Sequence, residues 1–237
     1  MTSYEQQAAD ERRGREKYAA VYGILNGMFG RPVWRSHGPP LDELVGTILS
    51  QATADVNTAR AYAGLTARFP DWEAVMNAPV DEVKAAIRPA GLSNMKAPRI
   101  QNALRHIHRE RGELSLDFLA DLPLDEALAW LTRIEGVGPK TAAIVMLFSL
   151  GRPAFPVDTH VHRISLRLGL IPPRTNADKA HDLLAALGAP DTYYAMHINL
   201  IRHGREICVA RNPRCHICPL QEWCDYYQSI VVRAADA

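Results

Sequence analysis

The stretch Ile134-Glu135-Gly136-Val137-Gly138-Pro139-Lys140-Thr141 restricts the fold more than any other. An amphipathic run (Leu124, Leu128, Leu131) leads into it, and an almost wholly apolar run (Ala142, Ile144, Val145, Leu147, Phe148) leads out. Two helices joined by a tight Gly-x-Gly turn satisfy that pattern. Gly136 and Gly138 can take backbone angles closed to other residues, and neither has a Cβ to keep a ligand away. Pro139 suits the first position of the second helix, where its missing N–H costs nothing. Free backbone N–H groups at that helix start then face outward, and such a start binds phosphate. A tight helix–helix turn with no ligand accounts for the same residues equally well.

Lys140 adds chemistry to the turn. A cation in the first turn of a helix faces the positive end of the macrodipole. That placement costs stability, but it lowers the pKa of the ammonium, and burial lowers it further. A neutral lysine is a nucleophile that forms Schiff bases, whereas a solvated, charged one binds phosphate as a point charge. Asp158, in Phe155-Pro156-Val157-Asp158-Thr159-His160, precedes the apolar-periodic run Val161, Ile164, Leu168 and reads first as a helix N-cap. A helix from Lys140 to about Leu150 is roughly 16 Å long at 1.5 Å per residue. Residues 151–157, if extended, span about 23 Å. The chain can therefore run back and set Asp158 beside Lys140, where a carboxylate could stabilise a developing cation on a sugar.

All four cysteines lie in the 17-residue segment 208–224, spaced Cys208-x6-Cys215-x2-Cys218-x5-Cys224. Four thiolates in a short loop bind zinc or an iron–sulfur cluster. Structural zinc sites usually come as two close pairs; here only Cys215 and Cys218 are close, which favours the larger cluster. Two disulfides would need an oxidising compartment. The polar start Thr2, Ser3, Tyr4, Glu5, Gln6 carries no signal-peptide pattern. No apolar run approaches the roughly 18 residues of a membrane span. The expectation is a chain with no membrane association, cytoplasmic, and nucleoid-associated in a prokaryote. A formal net charge of +1 means that any nucleic-acid-binding surface is a local patch balanced by acid elsewhere.

Apolar periodicity predicts an all-α chain, since no stretch shows sustained strand alternation with hairpin signals. Helices are expected over about 4–29, 41–50, 55–69, 71–77, 80–87, 96–111, 159–168, 176–187 and 191–207, in addition to the hairpin pair and a short element near 116–120. Residues 88–94 read as a loop. Arg12, Arg13, Arg15 and Lys17 read as a solvated basic face, and Gly188 as a left-handed residue closing a helix.

Gly136-Val137-Gly138-Pro139-Lys140-Thr141 followed by Val157-Asp158-Thr159-His160 resembles the helix-hairpin-helix DNA glycosylases. The cysteine spacing is similar to that of the [4Fe–4S] loop of endonuclease III. The resemblance runs from about Leu41 to Cys224, with the motifs in the family's order. It implies a two-lobed fold: a six-helix barrel lobe over 38–151 that carries the hairpin, and a discontinuous iron–sulfur lobe made of 1–37 and 152–237. It further implies a monomeric base-excision repair enzyme, a bifunctional DNA glycosylase and abasic-site lyase, acting on double-stranded DNA with damaged bases or abasic sites. In such an enzyme the damaged nucleotide flips into the cleft between lobes. Lys140 attacks C1′ and expels the base, Asp158 stabilises positive charge on the sugar, and the Schiff base permits β-elimination.

The same resemblance gives roles to further residues. The amides of Gly136, Gly138 and Lys140 would hold a backbone phosphate, through a monovalent cation in some family members. Gln51 resembles the glutamine that fills the hole left by flipping, and Leu92 the apolar wedge against the opposite strand. From the residues alone, the alternatives are a helix-breaking surface side chain for Gln51 and a core leucine for Leu92. Arg205, Arg211 and Arg214, with Arg202, would form a positive surface for DNA phosphates on the cluster loop, or compensate the cluster's negative charge. One departure stands out. Leu49-Ser50-Gln51 lacks the alanine that the common endonuclease III form carries between serine and glutamine, so specificity for oxidised pyrimidines does not follow from it. A monofunctional glycosylase and a non-catalytic DNA-binding protein remain as alternatives; the Lys140/Asp158 pair argues against both.

Overall fold

Every regular element among the described residues is helical, as the periodicity predicts. The computed structural model describes the backbone of residues 3–235; Met1 and Thr2, where the polar N-terminal start begins, lie outside the described residues. The chain falls into two units, one formed by Arg35–Arg152 and the other by Met1–Trp34 with Pro153–Ala237.

The first helix, α1 (Ser3–Phe29), buries Tyr18, Val21 and Leu25 along one stripe. Arg12, Arg13 and Arg15 on it are exposed, but Lys17 is not part of a solvated face. Lys17 is 8% exposed. Its Nζ donates to Leu168 O at 2.6 Å and pairs with Asp225 Oδ1 at 2.6 Å. A lysine stem has enough methylenes to cross an apolar surface and deliver its charge to a distant acceptor, so a basic run in sequence need not be a basic face.

The unit Arg35–Arg152 begins with α2 (Pro40–Ser50), which buries Leu41, Leu44, Val45, Ile48 and Leu49. Then come α3 (Asp55–Arg68), α4 (Trp72–Asn77) and α5 (Val80–Ala86). A 3-10 turn, Arg88–Ala90, leads to α6 (Ser93–Arg111), which packs on α2, α4 and α5 and buries Ile100, Leu104 and Ile107. Here α6 starts three residues before the expected Lys96, because Leu92 at φ +48 turns the chain without any capping side chain. The hairpin pair is α7 (Leu124–Thr132) and α8 (Pro139–Ile144). Instead of running on as α-helix to Leu150, α8 widens into a π-turn over Val145–Ser149. Its carbonyls are claimed from elsewhere: Met146 O by Arg152 N at 2.9 Å, Phe148 O by His37 N at 3.1 Å, and Ser149 O by Ser36 Oγ at 3.0 Å.

The other unit adds α9 (Thr159–Leu168), α10 (Ala177–Leu187), α11 (Tyr193–Glu206) and α12 (Asp225–Ala235) to α1. α11 packs against both α1 and α9. Gly188 closes α10 with φ −109 and ψ 161, an extended conformation rather than the left-handed one expected. The reason for glycine is steric: a Cβ there would sit 2.3 Å from Tyr18 Cζ.

Candidate functional site

The hairpin turn uses its two glycines differently. Gly136 adopts φ +82, open to glycine at little cost, and a Cβ on it would meet Arg99 Cδ at 3.0 Å. Gly138 is extended (φ −93, ψ 179), so its conformational freedom is not used. What Gly138 provides is access: it is exposed, and a Cβ there would meet nothing within 4 Å. Pro139 takes the first helical position and Lys140 the second. Lys140 is half-buried. The first N–H groups of a helix have no intrahelical partner, so the turn presents donors beside this amine.

Gln51 lies against the same turn. It caps the C-terminus of α2, its Nε2 donates to Gly136 O at 3.3 Å, and its Oε1 accepts from Arg99 Nη1 at 3.2 Å. Leu92 is 54% exposed at a left-handed φ, so it is not a core leucine. Ala52, next to Gln51, is likewise left-handed (φ +53) and exposed. Sequence reasoning missed two residues here, Arg99 and Lys96. Lys96 is 0% exposed, and burial pushes its ammonium below the usual lysine range. The signal was present: Lys96 falls on the helical stripe of Ile100, Leu104 and Ile107, so it had to be buried.

In the other unit Asp158 caps α9, its Oδ1 accepting from Val161 N at 2.7 Å. It is half-buried. His160 packs: its Nδ1 lies 3.1 Å from Arg163 Nη2, and a Cβ on the buried Gly204 would come within 2.8 Å of the same nitrogen.

Cys208, Cys215, Cys218 and Cys224 are all half-buried free thiols, and they line one cavity with Ile164, Arg167, His203 and Leu220. Arg167 Nη1 stands 3.2 Å from Cys208 Sγ and donates to Val209 O at 2.8 Å. His203 Nε2 lies 3.7 Å from Cys218 Sγ. Burial pushes the Cys218 thiol up to about 11 and also raises Cys215 and Cys224, with the charge of neighbouring thiolates adding to the effect. Left alone, Cys215, Cys218 and Cys224 therefore hold their protons. A positively charged metal centre reverses that balance, so the donor set fits a group that takes up four thiolates together. His203, 1% exposed, has its pKa pushed down to about 4 by burial and is neutral at pH 7. Arg205, Arg211 and Arg214 are exposed, and Arg202 Nη1 donates to Phe29 O at 3.2 Å.

The pattern of the HhH-GPD superfamily of base excision DNA repair proteins matches residues 45–190. That of the iron-sulfur binding domain of endonuclease III matches 208–224, from the first cysteine to the last. The chain belongs to the endonuclease III family. Its cofactor is a [4Fe–4S] cluster. Endonuclease III of Rickettsia conorii is 37% identical over 186 residues, 78% of this chain and 83% of that protein. An Arabidopsis thaliana relative is 39% identical over 168 residues, 71% of this chain; the matched part spans 57% of that longer protein. Among solved structures, a trapped endonuclease III–DNA covalent intermediate, in an estranged-adenine complex, superposes with a TM-score of 0.78 at 26% identity, covering 92% of this chain and 98% of that one. Among the described residues no helix is long and apolar enough to cross a membrane.

Proposed function

We propose that the chain is a bifunctional DNA glycosylase and abasic-site lyase that removes damaged bases, oxidised pyrimidines first among them, from double-stranded DNA. The observation that carries the reading is Lys140: a half-buried amine at the second position of α8, directly after an exposed glycine turn. The neutral amine attacks C1′ of a nucleotide that has left the stack. The bond from C1′ to the base breaks, and the base departs with the electron pair and takes a proton. The C1′–O4′ bond then opens, O4′ taking a proton while the amine nitrogen forms a Schiff base with C1′. Loss of a proton from C2′ expels the 3′ phosphate with the C3′–O electron pair by β-elimination, leaving the strand cut on the 3′ side. Asp158 stabilises positive charge on the sugar and assists the proton transfers. The amides of Gly136, Gly138 and Lys140 hold a backbone phosphate near the lesion, with a monovalent cation as mediator. Gln51 and Leu92 enter the gap that flipping leaves.

The [4Fe–4S] cluster, ligated by Cys208, Cys215, Cys218 and Cys224, fixes the loop. The exposed Arg205, Arg211 and Arg214 on and before that loop contact DNA phosphates. A monomer working in the cytoplasm suffices for this chemistry.

The test is borohydride trapping on duplexes that carry an abasic site or an oxidised pyrimidine, using cluster-loaded protein. A covalent adduct that disappears in Lys140→Gln is expected, and the substrate that traps names the lesion class. An active preparation that yields no adduct, or a Lys140→Gln variant that traps as well as wild type, overturns the Schiff-base reading.

A further inference from the structure

Two loops carry Gln51 and Leu92, and both are strained at the tip. Ala52 (φ +53) and Leu92 (φ +48) hold a left-handed backbone that a Cβ disfavours. Neither is capped by a side chain of its own: the helix that Leu92 opens has no side-chain cap bond. What holds both loops lies beneath them. Lys96 Nζ donates to Leu49 O at 2.7 Å, two residues before Gln51, and to Ala90 O at 3.0 Å, two residues before Leu92. Its third contact is Thr53 Oγ1 at 2.6 Å. That hydroxyl also lies 2.6 Å from Ala90 O and 3.1 Å from Gln51 O.

An ammonium has three N–H donors, and here each is matched by one acceptor: Leu49 O at the end of α2, Thr53 Oγ1 in the Gln51 loop and Ala90 O just before the Leu92 turn. The acceptors are two carbonyls and a hydroxyl, none of them a carboxylate. Burying a charge among neutral groups is expensive, and an apolar side chain of similar shape would serve the core as well or better. The charge makes sense as a fastener, because one atom ties together three chain positions that no covalent bond relates.

We propose that Lys96 is a positioning residue for the DNA step: its ammonium locks the Gln51 loop to the Leu92 loop, so that the two side chains enter the gap left by a flipped nucleotide as a single rigid unit. The inference rests on the glycosylase/lyase reading, which assigns the gap to Gln51 and Leu92. It adds a specific expectation. Filling a gap is needed only where a nucleotide leaves a duplex; an abasic site in single-stranded DNA leaves none.

The experiment compares Lys96→Met, which keeps the apolar stem and deletes all three donors, with wild type on abasic sites in duplex and in single-stranded DNA, by borohydride trapping. Duplex trapping by Lys96→Met is expected to fall on the order of tenfold or more while single-strand trapping stays within about twofold. In the DNA-free protein, amide exchange at residues 51–53 and 91–92 is expected to quicken together. Thr53→Val, which removes one acceptor and keeps the ammonium, should give a smaller duplex-selective loss, and it decides the matter alone if Lys96→Met does not fold. Equal losses on both substrates mark a merely structural lysine and overturn the proposal, as does no loss on either. No adduct from wild type on either substrate is a different result: it overturns the lyase reading and this inference with it.

Discussion

Lys17 has one bond in the interior and one at the surface, and the two should separate on mutation. Its side chain is 10% exposed, whereas that of Asp225 is 64% exposed. The ion pair at the exposed end is worth about 0–1 kcal/mol and is weakened by salt. The bond to Leu168 O is different. That carbonyl belongs to the last turn of α9, where no intrahelical donor reaches it. A charge-assisted bond to it contributes about 1.5–3 kcal/mol, and a cation at a helix C-terminus adds about 0.3–1 kcal/mol. Lys17→Met should therefore cost about 2–4 kcal/mol. At about 2–4 °C per kcal/mol for a chain of this size, the melting temperature should fall by about 4–16 °C. Asp225→Asn keeps an acceptor and removes only the exposed charge, so it should cost no more than about 1 kcal/mol. Denaturant unfolding of both cluster-loaded variants at low and high salt makes the comparison. The Asp225→Asn loss should shrink in salt, and the Lys17→Met loss should persist. Equal losses that both vanish in salt would refute the argument, because they would show that the carbonyl contact contributes nothing.

Three further outcomes are expected. Leu92→Gly relieves a left-handed strain of about 1–2 kcal/mol and loosens the unfolded chain by about 0.5–1 kcal/mol, so it should raise stability by about 0.5–1 kcal/mol while lowering duplex trapping; a loss of stability would mean that Leu92 is held by packing after all. His181, whose Nδ1 sits 2.8 Å from Phe155 O, has its pKa pushed below the usual value by burial. Its stabilising contribution is full above the unfolded-state pKa of about 6.5 and is lost as pH falls through the folded value; His181→Gln should flatten the acid side of a stability–pH profile, and an unchanged slope would count against this origin. Removal of iron should release the segment 208–224, which has few apolar residues, so that trypsin cuts at Arg211 and Arg214 while sites within Arg35–Arg152 stay protected; equal resistance with and without iron would show that the loop stands without its cluster.

The sequence made some of this legible and hid the rest for definite reasons. Helices with a full apolar stripe, such as α2 and α9, were visible because every turn repeats the same information. The N-cap at Asp158 was visible because its partner is three residues away. The fates of Lys17 and Lys96 were not, because both depend on carbonyls far off in the chain: Leu168 O for one, Leu49 O for the other. Lys96 was half legible, since its place on the buried stripe of α6 was readable while its acceptors were not. Gly188 misled because glycine after a helix usually signals a left-handed cap; here the deciding neighbour, Tyr18, lies 170 residues earlier. The beginning of α6 was hidden for a related reason, because a left-handed leucine gives no local signal. In the hairpin, special backbone angles were expected of both glycines, but only Gly136 takes one, while Gly138 is extended and has open space where a Cβ would stand.

The π-turn at Val145–Ser149 makes the helix behind Lys140 one residue longer per turn than its neighbours. Each residue of an α-helix turns the chain by about 100°. Deleting one residue of this turn would let the helix close as ordinary α with nearly the same total rotation, because the wide turn spends one residue more on the same angle; a deletion in an ordinary α-turn of the same helix would swing the residues that follow by about 100°. Arg152, whose guanidinium reaches Ala120 O and, at 3.0 Å, Leu122 O, would keep both after a deletion within Val145–Ser149 and leave both after one in the α-helical turn before it. The wide turn therefore acts as a store of slack: it holds one residue more than the angle needs, and a library of single-residue deletions should find Val145–Ser149 the most forgiving stretch of an otherwise regular helix.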